Sequence, residues 1–220
     1  MSGKSGPDIV ENGLVLCLDA ANKLSYRGTG TTWTDLSGNN NTGTLTNGPT
    51  FNSGNGGNIV FDGVDDYVSG TLPSLSDWTI SIWYYSTDIT TNVVYYPVGG
   101  TTTAAGLGFG GNLDASTQNR WYYFDGTNSL THANPNIVIN KWYNLVVTKN
   151  STSYNLYTNS FLSISGTLAN QTLNTYNLGR RADGVWYVKG RIACTLFYNR
   201  AITSTEVLQN YNATKSRFGR

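Results

Sequence analysis

The chain has 220 residues, of which 39% are hydrophobic and only 12% charged, with a formal net charge of +1. It has no clustered run of lysine and arginine of the kind nucleic-acid binding requires, and no apolar stretch near the roughly 20 residues that span a bilayer. Uncharged Asn, Thr, Ser and Gly must therefore make most of the surface polar, and a length of this kind suits a single β-sandwich.

The first eight residues, 1–8, are rich in Gly and Ser and read as a flexible N-terminal arm. They lack the hydrophobic core of a signal peptide, so an ordinary secretory route is not expected. Residues 9–220 read as one domain. Period-two alternation, punctuated by Gly and Asn turns, predicts strands at Leu14–Asp19, Asn58–Asp62 and 66–68. Further strands follow at 78–85, 93–98, Gly106–Gly110 and Arg120–Phe124. In 78–85, Ile80, Ile82 and Tyr84 point one way, and Thr79, Ser81 and Trp83 the other. Strand 142–149 opposes Asn144, Val146 and Thr148 to Leu145 and Val147. A hairpin through the turn formers 150–153 then returns 154–158 beside it. In the last long strand, 191–198, Ile192, Cys194, Leu196 and Tyr198 share a face. Thr203-Ser204-Thr205-Glu206 has capping-box spacing, and Val207, Leu208 and Tyr211 give an apolar helical stripe. Many strands, one helix and no βαβ rhythm predict an all-β, two-sheet antiparallel sandwich with one short C-terminal helix.

Three runs carry a resemblance: Phe61-Asp62-Gly63-Val64-Asp65-Asp66-Tyr67-Val68, Trp78-Thr79-Ile80-Ser81-Ile82-Trp83 and Trp142-Tyr143-Asn144-Leu145-Val146-Val147-Thr148. With Gly190-Arg191-Ile192-Ala193 and Phe197-Tyr198-Asn199-Arg200-Ala201-Ile202-Thr203, the chain resembles laminin-G-like, concanavalin A-like jelly-roll domains. Its flanks, Gly6-Pro7-Asp8-Ile9-Val10, Leu18-Asp19-Ala20-Ala21-Asn22, Trp33-Thr34-Asp35-Leu36-Ser37-Gly38 and Tyr211-Asn212-Ala213-Thr214-Lys215, resemble the version found in structural proteins of tailed bacteriophages. The resemblance implies a structural or binding protein of a virion, assembled in the host cytoplasm, with other capsid or tail proteins as partners. A decoration protein is the leading expectation. A lectin-like adhesin for host-surface glycans is the alternative, and a homo-oligomer is compatible with either. Many laminin-G-like domains have Ile-Asp-Glu where this chain has Ile192-Ala193-Cys194, so any role of that acidic pair does not carry over.

Jelly-roll glycan hydrolases need two opposed carboxylates. Here only Glu11 and Glu206 are glutamates, Glu206 reads as a helix cap, and no strand carries alternating acids. No enzyme activity and no cofactor are expected. His132, the sole histidine, reads as an exposed loop residue, which excludes a nucleophilic triad. Cys17 and Cys194 read as small buried hydrophobes; a disulfide requires the first and last strands to be neighbours. With one histidine they cannot complete a four-ligand zinc site. Asp62, Asp65 and Asp66 surround a Gly turn; turn chemistry is favoured there over a calcium loop, and no metal is expected. The candidate ligand-binding residues are aromatic, because a pyranose C–H face stacks on a ring: Trp121, Tyr122, Tyr123 and Trp186. Trp121-Tyr122-Tyr123 is the favoured exposed patch, because consecutive rings cannot all face inward on a strand.

Overall fold

Each strand of a sandwich has two faces to satisfy, and in this chain one of the two sheets is covered on both. The computed structural model describes residues 8–88, 94–99, 105–110, 120–132 and 137–220. Within them run β1 (Leu14–Asp19), β2 (Thr32–Trp33), β3 (Gly43–Thr46), β4 (Thr50–Asn52), β5 (Asn58–Asp62), β6 (Tyr67–Leu75), β7 (Trp78–Ser86) and β8 (Val94–Gly99). There follow β9 (Gly106–Gly110), β10 (Arg120–Phe124), β11 (Ser129–Thr131), β12 (Trp142–Asn150), β13 (Ser153–Thr158), β14 (Phe161–Thr167), β15 (Leu173–Leu178), β16 (Lys189–Tyr198) and the helix α1 (Ser204–Thr214). The proposed arm, apart from Asp8, lies outside the described residues, as does Val93 of the predicted strand 93–98.

The strands form two eight-stranded antiparallel sheets. The back sheet is ordered β14-β13-β12-β7-β16-β5-β4, with β1 also paired to β16. The front sheet is ordered β11-β10-β9-β8-β15-β6-β3-β2. Between them lies the main core. Leu16, Ile80, Ile82, Tyr84, Leu145, Val147 and Phe197 of the back sheet meet Val68, Trp121, Tyr123, Tyr176 and Leu178 of the front. The predicted alternation in β7 and β12 is the one observed.

The outer face of the back sheet carries a third layer. Trp83, Val146, Leu196 and Tyr198 pack there against Val10, Ile202, Val207 and Phe218. The Trp83 ring stacks on Phe218 at a centroid separation of 4.0 Å, and its indole N–H donates to Thr214 Oγ1 at 2.8 Å. The expected face of the last strand needs one correction. Register slips between Ile192 and Cys194, so Ile192 turns into the inter-sheet core while Ala193 and Cys194 both face the outer layer. This is the effect of a β-bulge, which inserts one extra residue and switches sides.

The first and last long strands are neighbours, as a disulfide would require. Their register nevertheless sets Cys17 opposite Leu196 and Cys194 opposite Asp19, so the cysteines sit diagonally. Both are free and buried, and burial pushes the Cys17 thiol up to about 12.

The helix begins where the capping box places it. Thr203 Oγ1 accepts from the Glu206 N–H, and Glu206 Oε2 accepts from the Thr203 N–H at 2.8 Å. The inward stripe differs from the expected one. Val207 and Asn210 are buried and Tyr211 lies against Trp83, but Leu208 is 46% exposed. Positions three and four apart share a helix face, and Leu208 falls beside that stripe. Asn210 earns its buried place by hydrogen bonding: its Oδ1 accepts from the Val10 N–H at 2.8 Å, and its Nδ2 donates to Tyr198 Oη at 2.9 Å. The Tyr198 hydroxyl donates to the Val10 carbonyl at 3.0 Å. Removing that hydroxyl leaves a buried carbonyl and a buried amide short of partners. Tyr198→Phe is therefore expected to lower unfolding free energy by about 1–3 kcal/mol in urea titration; a change under about 0.5 kcal/mol would show that the network contributes no more than an ordinary surface site.

Candidate functional site

Strand β10 decides the fate of the aromatic triplet. Trp121 and Tyr123 face the core, where Trp121 packs edge-on against Tyr84 at 5.8 Å and Tyr123 stacks on Tyr154 at 5.3 Å. Tyr122 faces outward, as alternation demands, but Phe124 and Trp186 pack against it. All three are buried: Trp121 is 2%, Tyr122 6% and Tyr123 1% exposed. The expectation of an exposed Trp121-Tyr122-Tyr123 patch is thus corrected. Alternation distributes rings between two faces, but a distant loop can still cover the outer one. His132 is corrected likewise: it is buried at the end of β11, where its N–H donates to the Trp121 carbonyl at 2.8 Å. Burial, and then the charge of Arg120, depress its pKa.

The covering loop joins β15 to β16. It folds back on itself as a short ladder, in which the Val188 N–H donates to the Gly179 carbonyl at 2.8 Å and the Arg181 N–H to the Val185 carbonyl at 3.1 Å. This sets Arg180 across from Trp186 and Tyr187. Gly184 at the tip has φ +79°, and Trp186 has φ 61°. For a bulky residue that φ is uncommon and costly. Trp33, Trp78, Trp83, Trp121 and Trp142 are each no more than 6% exposed. Trp186, the last of the six, is only partly buried.

One arginine lies against this ring, and the preceding one is held over Tyr67. Arg181 lies 5.9 Å from the Trp186 ring centroid and pairs with Asp183, whose carboxyl it holds below the usual range. Arg180 lies 3.4 Å over the Tyr67 ring, and its Nε donates to Asn177 Oδ1 at 3.1 Å. Tyr67 and Asn177 occupy β6 and β15, which are hydrogen-bonded neighbours. The outer face of the front sheet therefore presents a partly accessible indole, a stacked guanidinium and amide and hydroxyl groups.

The acidic turn lies at the same end of the sandwich, since Asp62 pairs with Lys189, the residue that ends the loop region. Oxygens of Asp62, Asp65 and Asp66 all lie within 4.8 Å of one another. Part of this oxygen set holds the turn itself. Asp62 Oδ1 accepts from the Val64 N–H at 2.8 Å, and Asp66 Oδ2 accepts from the Asp62 N–H at 3.0 Å. Gly63 takes φ +84° beside Lys189, where a Cβ would come within 2.9 Å of the lysine Cβ. Burial, followed by the neighbouring Asp62 and Asp65 charges, raises the Asp66 carboxyl to about 6. A carboxyl raised in the fold is disfavoured there when ionised. Its unfavourable contribution is absent below the unfolded pKa of about 3.9, grows as pH rises from there to about 6, and is fully present above that. Asp66→Asn, which keeps the acceptor, should accordingly raise Tm at pH 7.5 and leave it unchanged at pH 3.5; equal effects at both pH values would remove the burial explanation.

Glu206 is committed elsewhere. Its carboxylate receives Arg200 Nη2 at 2.6 Å and Nη1 at 3.0 Å, and these bonds, assisted by Thr203, hold it down to about 2. It is ionised at neutral pH and cannot act there as a general acid.

Comparison with known proteins agrees with this geometry. The family model described as the concanavalin A-like lectin/glucanases superfamily matches residues 61–208, and the chain belongs to that family. No curated protein matches the sequence. Among solved structures, domain 4 of AbnA, a GH43 extracellular arabinanase from Geobacillus stearothermophilus, in complex with arabinotriose, has a TM-score of 0.67 at 18% identity, covering 92% of this chain and 100% of that one. The binding domain of Paraclostridial Mosquitocidal Protein 1 has a TM-score of 0.71 at 16% identity, covering 92% of this chain and 52% of that one. Trypanosoma rangeli sialidase in complex with sialic acid has a TM-score of 0.67 at 13% identity, covering 94% of this chain. This chain spans about a third, 34%, of that sialidase. At these identities the likeness is one of fold: an antiparallel jelly roll shared with lectin-like binding domains.

Proposed function

We propose that the chain is a non-catalytic carbohydrate-binding protein whose sugar site is the outer face of the front sheet around Trp186. The observation that carries this reading is the selective accessibility of Trp186 among the six tryptophans. A pyranose stacks its C–H face on such a ring, and the polar and charged groups around it supply hydroxyl partners. The fold shared with an arabinanase domain bound to arabinotriose and with toxin binding domains supports binding rather than bond cleavage. The commitment of Glu206 to Arg200 and the helix start supports it as well.

The second reading concerns where the protein works: as a capsid or tail decoration protein of a bacteriophage virion. It rests on the phage-like motifs at the two ends of the chain. Those ends pack together on the outer face of the back sheet, where Gln209 Nε2 donates to the Asp8 carbonyl at 2.8 Å and the Val10 N–H donates to Asn210 Oδ1. That layer is on the opposite side of the sandwich from Trp186. A protein held to a particle through the first surface would display the second. Mass spectrometry of purified virions tests this, and absence from the particle would remove it.

For the sugar site, Trp186→Ala is expected to abolish binding on a glycan array while the melting curve stays cooperative. Trp121→Ala, by contrast, should cost about 3–5 kcal/mol of stability because it empties a core position. Retained glycan binding in a folded Trp186→Ala protein would refute the site.

A further inference from the structure

We propose that the sugar bound at this face carries an oxyanion, a carboxylate or a sulfate ester, which Arg180 grips beside the Trp186 ring. The proposal rests on the carbohydrate reading above and adds the charge of the ligand to it.

Arg180 is fixed before any ligand arrives. Its guanidinium lies flat enough over Tyr67 to sit 3.4 Å from the ring centroid, and Nε is spent on Asn177 Oδ1 at 3.1 Å. Asn177 is itself only 8% exposed, so the anchor is firm. Stacking and one Nε bond leave the Nη1 and Nη2 donors unused, and neither makes a hydrogen bond or ion pair with any described residue. Arg181, Arg200 and Arg217 each have a carboxylate partner, Asp183, Glu206 and Asp19 respectively, whereas Arg180, like Arg191 over Tyr85 and Arg220 over Tyr143, is held against a ring and has no carboxylate partner among the described residues. Gly184 lies beside these donors, its Cβ position 3.5 Å from Nη1, an ordinary contact distance.

A planar fork with two parallel free N–H groups matches a carboxylate or sulfate in bidentate fashion, and a lysine does not reproduce that geometry. Because the side chain is already immobilised, little rotamer entropy is lost on binding. The ladder of the loop places Arg180 across from Trp186 and Tyr187. A sugar ring stacked on the indole can thus direct an acidic substituent to the guanidinium. Of Arg180, Arg191 and Arg220, Arg180 is the one on the loop that carries the partly accessible Trp186, and that placement is what fits it for recognition.

The test uses the full chain on a glycan array that presents uronate-containing, sialylated, sulfated and neutral glycans. The bound set should be dominated by anionic glycans, and whether uronates and sialosides or sulfate esters prevail identifies the oxyanion. Arg180→Lys keeps the charge and should keep the melting temperature, yet lower the anionic signal by about tenfold, the loss expected when a bidentate contact becomes a point contact. A bound set that is neutral, or anionic binding untouched in Arg180→Lys, overturns the oxyanion proposal while leaving the carbohydrate reading intact. No binding to any glycan by the folded protein overturns both.

Discussion

The two-sided burial of the back sheet is the constraint on which the rest of the molecule depends. β7 and β16 lie at its centre, and of the nine residues of β7 only Tyr85 is not fully buried. Their inner faces meet the front sheet, and their outer faces would be bare without α1 and the segment before β1. The bulge in β16 and the stack of Trp83 on Phe218 fit this need. The two ends of the chain are thereby drawn together, with Arg217 reaching Asp19 at 2.9 Å. The centre of this sheet, occupied on both sides, leaves no face there for a ligand.

The front sheet is in the opposite position. Its inner face completes the core, while its outer face alternates Ser69, Thr71 and Thr175 with inward apolar residues. A polar surface of so few charges offers short-range hydrogen bonds rather than a long-range field. The loop after β15 adds what that surface lacks, an aromatic plane and a fixed guanidinium. Holding Trp186 at positive φ costs on the order of 1–3 kcal/mol, and the ladder hydrogen bonds on either side of it sustain the cost. Strain of this kind is retained where it positions a side chain that packing alone would not place.

Much of this fold was legible in the sequence, and the failures have physical causes. β9 and β10 have the bounds that alternation assigns them, and the capping box locates the start of α1. β2, β3 and β4 escaped notice because Gly, Asn and Thr dominate residues 32–52, and short strands there look like turns. β14 and β15 lie in an uncharged stretch where Ser, Thr and Asn blur the period. Ile192 was assigned to the wrong face because a bulge leaves no mark on the residues around it. The site was harder still. Periodicity separates Tyr122 from Trp121 and Tyr123, but it cannot show that residues some sixty positions later cover Tyr122. Trp186 was recognisable as an aromatic candidate. Arg180 was not, because its importance lies in having Tyr67 and Asn177 as anchors and no acid as partner.

The assignment of function to the front sheet is tested most directly by the six indole N–H resonances in a 15N-labelled sample titrated with a glycan that the protein binds. The Trp186 resonance is expected to shift progressively with ligand while those of Trp33, Trp78, Trp83, Trp121 and Trp142 stay in place. A static Trp186 signal, with shifts instead at Trp83 or Trp142 under the C-terminal layer, would place the ligand on the back sheet and contradict the assignment.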